Sequence, residues 1–230
     1  AAKLVASLLA AAPKFPVYSA EPAAAPCRAV AVVAGGFLIP PDQYKSYADA
    51  LERLGCSTII CADNGSLSKA GDLSQGAAAI LELAERRAAE VGLSKDAPLV
   101  LLGHSRGGTA VLLAAGRSWV NRDDSIPRPD GVIALAAPAD CDRLDPQARE
   151  TFLADGYTAV RSNRTGQELR IQRGFLDEID ADPAAHDVEQ LVAGIACPML
   201  LAHGSDDSTI PVSDVDRLAR AAAHCNDLRR

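Results

Sequence analysis

An α/β architecture, a mostly parallel sheet with helices on both faces, is predicted for this chain by three observations. Short runs of β-branched and aliphatic residues recur along it, each apolar on both faces. Between them lie longer stretches whose apolar residues fall at three and four spacing, the stripe of a helix that buries one side. Gly, Pro or Asp stands at the junctions, where the backbone must turn. Strand alternating with helix implies parallel neighbours joined by crossovers that lay the helices on the sheet.

Taken in order, residues 1–28 form an Ala/Pro-rich segment without a leading Met, expected to be a processed or trimmed start. Leu4-Val5-Ala6-Ser7-Leu8-Leu9 has the apolarity of a signal core but lacks a basic leading region, so no targeting role is assigned. A single domain is expected over 29–230, and 230 residues is an ordinary size for one core. Ala29 to Ala34 (AVAVVA) is predicted as the first buried strand, followed by a helix at about Asp42 to Leu54. Strand Ser57 to Ala62 (STIICA), helix Gln75 to Val91, strand Leu99 to Leu102 (LVLL) and helix Gly107 to Ser118 continue the alternation. Strand Val132 to Ala136 (VIALA) comes next, and the last pair is strand Met199 to Ala202 (MLLA) with helix Val212 to Ala223.

One region breaks the rhythm, the stretch from Pro138 to Cys197. It holds a hairpin, Thr158 to Arg161 and Glu168 to Ile171 around Asn163-Arg164-Thr165-Gly166, then short helices around Phe175 and Val188 to Val192. An excursion of this length, about 140–196, is expected to be a lid insertion over a pocket.

Composition narrows the partners. The chain carries 23 Lys and Arg against 30 Asp and Glu, a formal net charge of −7. Nucleic acid and anionic membrane surfaces both demand clustered positive charge, so neither is expected as a partner. The 4% aromatic content argues against a stacking cleft for single strands or polysaccharide. No apolar run approaches the roughly 20 residues of a membrane-spanning helix. Six cysteines without a CxxC pair are neither a disulfide framework nor a metal knuckle, and are expected to be mainly small buried apolar residues.

The sharpest local signal is Gly103-His104-Ser105-Arg106-Gly107-Gly108, directly after the strand LVLL and directly before an apolar helix. A G-x-S-x-G pattern acquires meaning in that setting, because a nucleophilic serine needs a strained strand-to-helix bend that exposes its hydroxyl. Gly103 and Gly107 are required where a Cβ would crowd the turn or the helix packed on it. The helix N-terminus at Ser105 also favours developing negative charge. The structural alternative is a serine that merely caps the helix.

With GHSRGG, Gly35-Gly36-Phe37-Leu38 after the first strand and His203-Gly204-Ser205-Asp206-Asp207 after the last, the chain resembles the α/β-hydrolase family of serine esterases, lipases and related acyl hydrolases, over about Ala29 to Ala223. The resemblance implies the α/β-hydrolase fold, Ser105 as nucleophile, and backbone N–H groups of Phe37 and Arg106 as the oxyanion hole. Gly35 stands where the family often has His, a change that leaves a backbone donor intact. The family's His-Gly-x-x-Asp loop places the acid at Asp207, with Asp206 as the neighbouring candidate. Of the four histidines, His104 and His203 are positional in the family and His186 lies in the lid. The family's base follows a further strand after the last helix, whereas this sequence stops at Arg230, so that strand and its His loop are expected to be missing. His224 has the right chain order but sits at the helix end, where it also fits an exposed imidazole favoured by the helix dipole.

The expected reaction is hydrolysis of a carboxylic ester through an acyl-enzyme, with a thioester as close second and a small-molecule substrate in either case. The form GHSRGG also resembles chlorophyllases, which cleave a pigment ester, but the loop after the next strand reads Ala136-Ala137-Pro138-Ala139-Asp140, with Ala at the position of their acid. The hairpin, Pro198, HGSDD and Pro211 are more similar to small bacterial-type carboxylesterases. The charged stretch from Asp140 to Asp187 favours soluble esters over an oil surface. Arg106 could bind a substrate carboxylate or pair with Asp177, the plainer role being its backbone N–H alone. No metal or organic cofactor is implied, since neither HExxH nor a Cys cluster occurs. The reading of another class is a hydrolase-fold scaffold or binding subunit without a complete triad. Cytosol or an organelle, plastid included, is favoured over secretion, and oligomeric state stays open.

Overall fold

The structure, a computed structural model, describes residues 27–37, 39–61, 73–121, 126–161, 166, 168–222 and 228–229. Its main sheet runs β1 (Ala29–Ala34), β2 (Cys56–Cys61), β3 (Leu99–His104), β4 (Gly131–Leu135), β7 (Met199–Ala202) and β8 (Leu228–Arg229), in spatial order β2-β1-β3-β4-β7-β8. Every neighbouring pair is parallel. The strands predicted for this sheet are present, Ala29–Ala34 and Met199–Ala202 with the predicted ends and the other three with ends shifted by one or two residues. β3 runs on through Gly103 and His104, because their backbones still pair with Ala34 and Leu135.

Alternation along β1 separates two cores. Val30, Val32 and Ala34 face helices α2 (Leu73–Glu90), α3 (Arg106–Val120), α7 (Val188–Ala193) and α8 (Ser213–Ala221). Ala29, Ala31 and Val33 face Tyr44 and Leu51, the first closing a 3-10 turn over Pro41–Tyr44 and the second on α1 (Lys45–Arg53). Period-two burial on both faces is what continuous apolar strands imply. Where one helix is predicted from Asp42, the chain forms that 3-10 turn first, with Pro40 extended before it.

The long excursion contains α4 (Pro146–Asp155), the hairpin β5 (Tyr157–Arg161) and β6 (Glu168–Gln172), α5 (Gly174–Ala181) and α6 (Pro183–His186) before α7. α4 is absent from the sequence-based expectation, because Phe152 is its only buried residue and it has no apolar stripe. Its ends were nevertheless marked: Asp145 accepts the Ala148 N–H as N-cap, Pro146 opens the first turn, and Gly156 closes it at φ 76°. Residues 140–196 divide in two. Val188, Leu191, Val192 and Ile195 belong to the main core, and an ideal Cβ on Gly116 would lie 2.6 Å from Leu191, so α7 is a structural layer on α3.

One expectation needs correction. An edge strand is present beyond the last predicted helix: Leu228 and Arg229 pair with Met199 and Leu200. Two residues flanked by polar side chains carry no apolar run, so periodicity could not mark them. None of the five described cysteines forms a disulfide; Cys56 and Cys197 are buried as expected and Cys27 is exposed, and burial pushes the Cys56 thiol up to about 12. No helix of the described residues is long and apolar enough to cross a membrane.

Candidate active site

The sheet itself builds a crevice. β2 lies on one side of β1 and β3 on the other, so the chains leaving β1 and β3 diverge at the carboxyl edge, where ligands bind in open α/β sheets. Register then decides which residues meet there. Ala34 pairs with Gly103, and Leu135 pairs with His104 on one side and Ala202 on the other. Gly35 to Phe37, Ser105, Ala136 and His203 therefore all leave the same edge, Ser105 and His203 two strand spacings apart, about 10 Å.

Ser105 occupies a tight bend with φ 55° and ψ −126°. A non-glycine residue there costs on the order of 1–3 kcal/mol and persists only where its surroundings hold it. They do: the Ser105 N–H donates to Leu135 O at 2.8 Å, and Ser105 O accepts from Thr109 N–H at 3.2 Å. Its side chain makes no capping hydrogen bond to α3, which removes the plain helix-cap explanation. Ala136, at φ 47°, is the other non-glycine residue with positive φ among the described residues, and its N–H donates to Ala202 O at 2.7 Å. Backbone strain is thus concentrated at the carboxyl edge.

Glycines allow the approach. An ideal Cβ on Gly107 would lie 2.2 Å from Ala34 O, and one on Gly36 would lie 3.1 Å from Ser105 Cβ. The half-buried Phe37 follows in a turn closed by Ile39 N–H donating to Gly36 O at 3.1 Å. Arg106 is the first residue of α3, where N–H groups lie outside the intrahelical ladder.

Asp207 is held inward by its own loop. Its Oδ1 accepts from Thr209 N–H at 2.8 Å and Ile210 N–H at 3.0 Å, and its Oδ2 lies 3.6 Å from His203 Nε2. The Ile210 N–H above all, then the Thr209 N–H and the nearby imidazoles of His203 and His104, keep this carboxyl below the usual range. Asp206 is exposed and, among the described residues, accepts from the Ser205 hydroxyl at 3.3 Å.

The described histidines are committed elsewhere. His203 Nε2–H donates to Ile210 O at 2.9 Å, and its buried Nδ1 has no hydrogen-bond partner among the described residues. His104 Nδ1 meets the Tyr44 hydroxyl at 3.0 Å, and His186 is buried between Asp182 O and Glu178. His224 lies outside the described residues. Among the described residues no imidazole bridges Asp207 and Ser105. Tyr44 is a side chain that sequence reasoning missed; the signal available was a pair of glycines, Gly35 and Gly36, with something large to seat them.

The loop after β4 is also fixed. Thr109 Oγ1 donates to Pro138 O at 2.8 Å, and the buried Asp214 accepts from Ala139 N–H at 3.2 Å and from Arg143 at 2.8 Å. Arg217 joins Asp140 to Glu189 and holds the Asp140 carboxyl low. Asp177 takes Arg173 on its own helix. A depression lined by Leu93, Leu99, Ile126 and Asp130 sits at the opposite, amino edge of the sheet.

These groups set a pH dependence. Burial lowers the His104 pKa below its ordinary 6.5, so its stabilising contribution is complete above about pH 6.5 and is lost as pH falls through the folded value. The lowered Asp207 adds stability present above its ordinary 3.8 and lost at still lower pH. Thermal melts should show Tm declining below pH 6.5 and again in the carboxylate range, with the first decline flattened in His104→Asn. A Tm that rises between pH 7 and 5 would contradict this assignment.

No family model matches the sequence, and no curated protein matches it. Solved structures do match in fold. The esterase domain of a Rhodothermus marinus protein superposes with TM-score 0.59 at 23% identity, covering 89% of this chain and 76% of its own. One of two metagenome-derived lipolytic enzymes gives TM-score 0.63 at 17% identity, covering 90% of this chain and 83% of its own. A thioesterase domain from the curacin biosynthetic pathway gives 0.53 at 12%, with 90% and 86% covered. With its parallel sheet, order of strands and strained serine bend, the chain has the α/β-hydrolase fold.

Proposed function

We propose that this chain is a serine hydrolase that cleaves carboxylic esters of small molecules through an acyl-enzyme. The observation that carries this is Ser105, held at φ 55° on the β3–α3 bend with its hydroxyl not spent on capping the helix. Ser105 Oγ attacks the acyl carbon, and the N–H groups of Phe37 and Arg106 receive the oxyanion. A histidine oriented by Asp207 takes the serine proton, passes it to the leaving alcohol, and then activates water to release the acid. His203 Nε2, His104 Nδ1 and His186 already face other partners, so among the histidines of this sequence His224 is the candidate base. A thioester fits the same steps with a thiol leaving group. A pigment ester fits less well, because the loop Ala136-Ala137-Pro138-Ala139-Asp140 has Ala at the position aligned with that family's acid.

The test is covalent labelling by a fluorophosphonate probe together with p-nitrophenyl ester turnover, on residues 1–230 and on the full natural polypeptide. Labelling that disappears in Ser105→Ala supports the reading; none in either polypeptide favours a scaffold. Asp207→Asn is expected to lower kcat by about 10³- to 10⁴-fold. Asp206→Asn should stay within about twofold, as for an exposed loop carboxylate. Equal losses in the two variants would remove Asp207 from the mechanism.

A further inference from the structure

We propose that the Tyr44 phenol is a positioning residue that locks together the two backbone segments supplying the oxyanion hole, an inference that rests on Ser105 being the nucleophile. Those segments come from different strands: Gly35 to Phe37 leaves β1, and His104 to Arg106 leaves β3. Helix and sheet packing bring them together without setting the direction in which an N–H points. Tyr44, 3% exposed, stands between them.

Its hydroxyl oxygen accepts from the Gly36 N–H at 2.7 Å. Its hydroxyl also lies 3.0 Å from His104 Nδ1, to which it donates in the tautomer that carries the imidazole proton on Nε2. Burial already holds His104 toward the neutral form that can accept. One phenol thus spans the residue before Phe37 and the residue before Ser105. The far side of Gly36 is tied as well, because Gly36 O accepts from Ile39 N–H at 3.1 Å. The Phe37 N–H belongs to the same planar peptide as that carbonyl and points opposite to it. With both polar groups of Gly36 held, the direction of the Phe37 N–H is set.

The glycines fit this role. An ideal Cβ on Gly35 would lie 2.9 Å from Tyr44 Cε2, and one on Gly36 would lie 3.3 Å from His104 Nδ1. The loop therefore seats directly on the phenol. In this role Tyr44 acts through the backbone it orients.

Tyr44→Phe keeps the ring and removes the hydroxyl. With a p-nitrophenyl ester we expect kcat to fall about 10- to 100-fold, the range for a misplaced rather than deleted oxyanion donor. KM should move less than about threefold, because the loss falls on the transition state. Affinity for a trifluoromethyl ketone inhibitor should drop in parallel with kcat, and the Gly36 amide should lose protection from hydrogen exchange. An active wild type whose Tyr44→Phe variant keeps kcat within about twofold overturns the proposal. Should Tyr44→Phe fail to fold, His104→Ala and His104→Asn decide it, since Asn places an oxygen near the Nδ1 position. A loss in Ala that Asn largely restores upholds the clamp; equal losses overturn it. If the wild type shows no turnover, the reading of Ser105 fails separately, and the Gly36 amide alone judges the clamp: protection lost in Tyr44→Phe upholds it, protection kept overturns it.

Discussion

Replacing Ser105 by alanine is expected to lower ester turnover by about 10⁴-fold or more and to abolish fluorophosphonate labelling, while leaving the fold intact. The size of the loss follows from what remains. Without Oγ no acyl-enzyme forms, and the N–H groups around the site can only assist attack by water. The fold should survive because the Ser105 side chain caps nothing and its backbone bonds to Leu135 and Thr109 do not involve the hydroxyl. Ser105→Gly separates strain from chemistry. It should be equally inactive yet more stable than Ser105→Ala by about 1 kcal/mol, because glycine occupies φ 55° without Cβ crowding. That is a Tm difference of roughly 2–4 °C for a domain of this size. If Ser105→Ala retained turnover, the bend would be an architectural feature and the reaction would lie elsewhere.

The largest effect on stability is expected from Gly103→Ala. An ideal Cβ there would lie 2.1 Å from Gly107 O and 2.7 Å from Gly108 Cα, both backbone atoms of the first turn of α3. That turn has no room to retreat, because Gly107 itself rests against Ala34 O of β1. One methyl group must therefore separate α3 from the sheet at its tightest point. We expect a cost of about 3 kcal/mol or more, a large fraction of an ordinary domain's stability. The measurement is a urea or thermal melt beside Gly76→Ala. Gly76 lies in α2 with nothing within 4 Å of its ideal Cβ, so the same substitution there should stabilise by about 0.5–1 kcal/mol. Two glycine substitutions of opposite sign test the close approach rather than glycine content. A Gly103→Ala melt within about 2 °C of wild type would show that strand and helix are less tightly coupled than described.

Legibility in the sequence follows the range of each interaction. The buried strands and the main helices are local patterns: AVAVVA and LVLL are apolar on both faces wherever they sit, and a helical stripe repeats within a few residues. GHSRGG is legible for the same reason, since strand, bend and helix are contiguous. α4 escaped because it buries almost nothing, though Asp145, Pro146 and Gly156 marked its ends. β8 escaped because its two residues form a strand only by pairing with β7.

By itself, then, the sequence determined the alternation of strand and helix and the serine bend between two crowded glycines, because each depends on neighbours along the chain. Tertiary structure alone decided the rest. It packed α7 into the main core, held Asp207 on the Thr209 and Ile210 N–H groups, and gave His104 Nδ1 and His203 Nε2 other partners. It also brought the Tyr44 hydroxyl between Gly36 and His104, the latter 60 residues away in sequence. The physical reason is directional: apolar burial can be inferred from periodicity, whereas a hydrogen bond depends on where two distant groups point once the sheet has set their register.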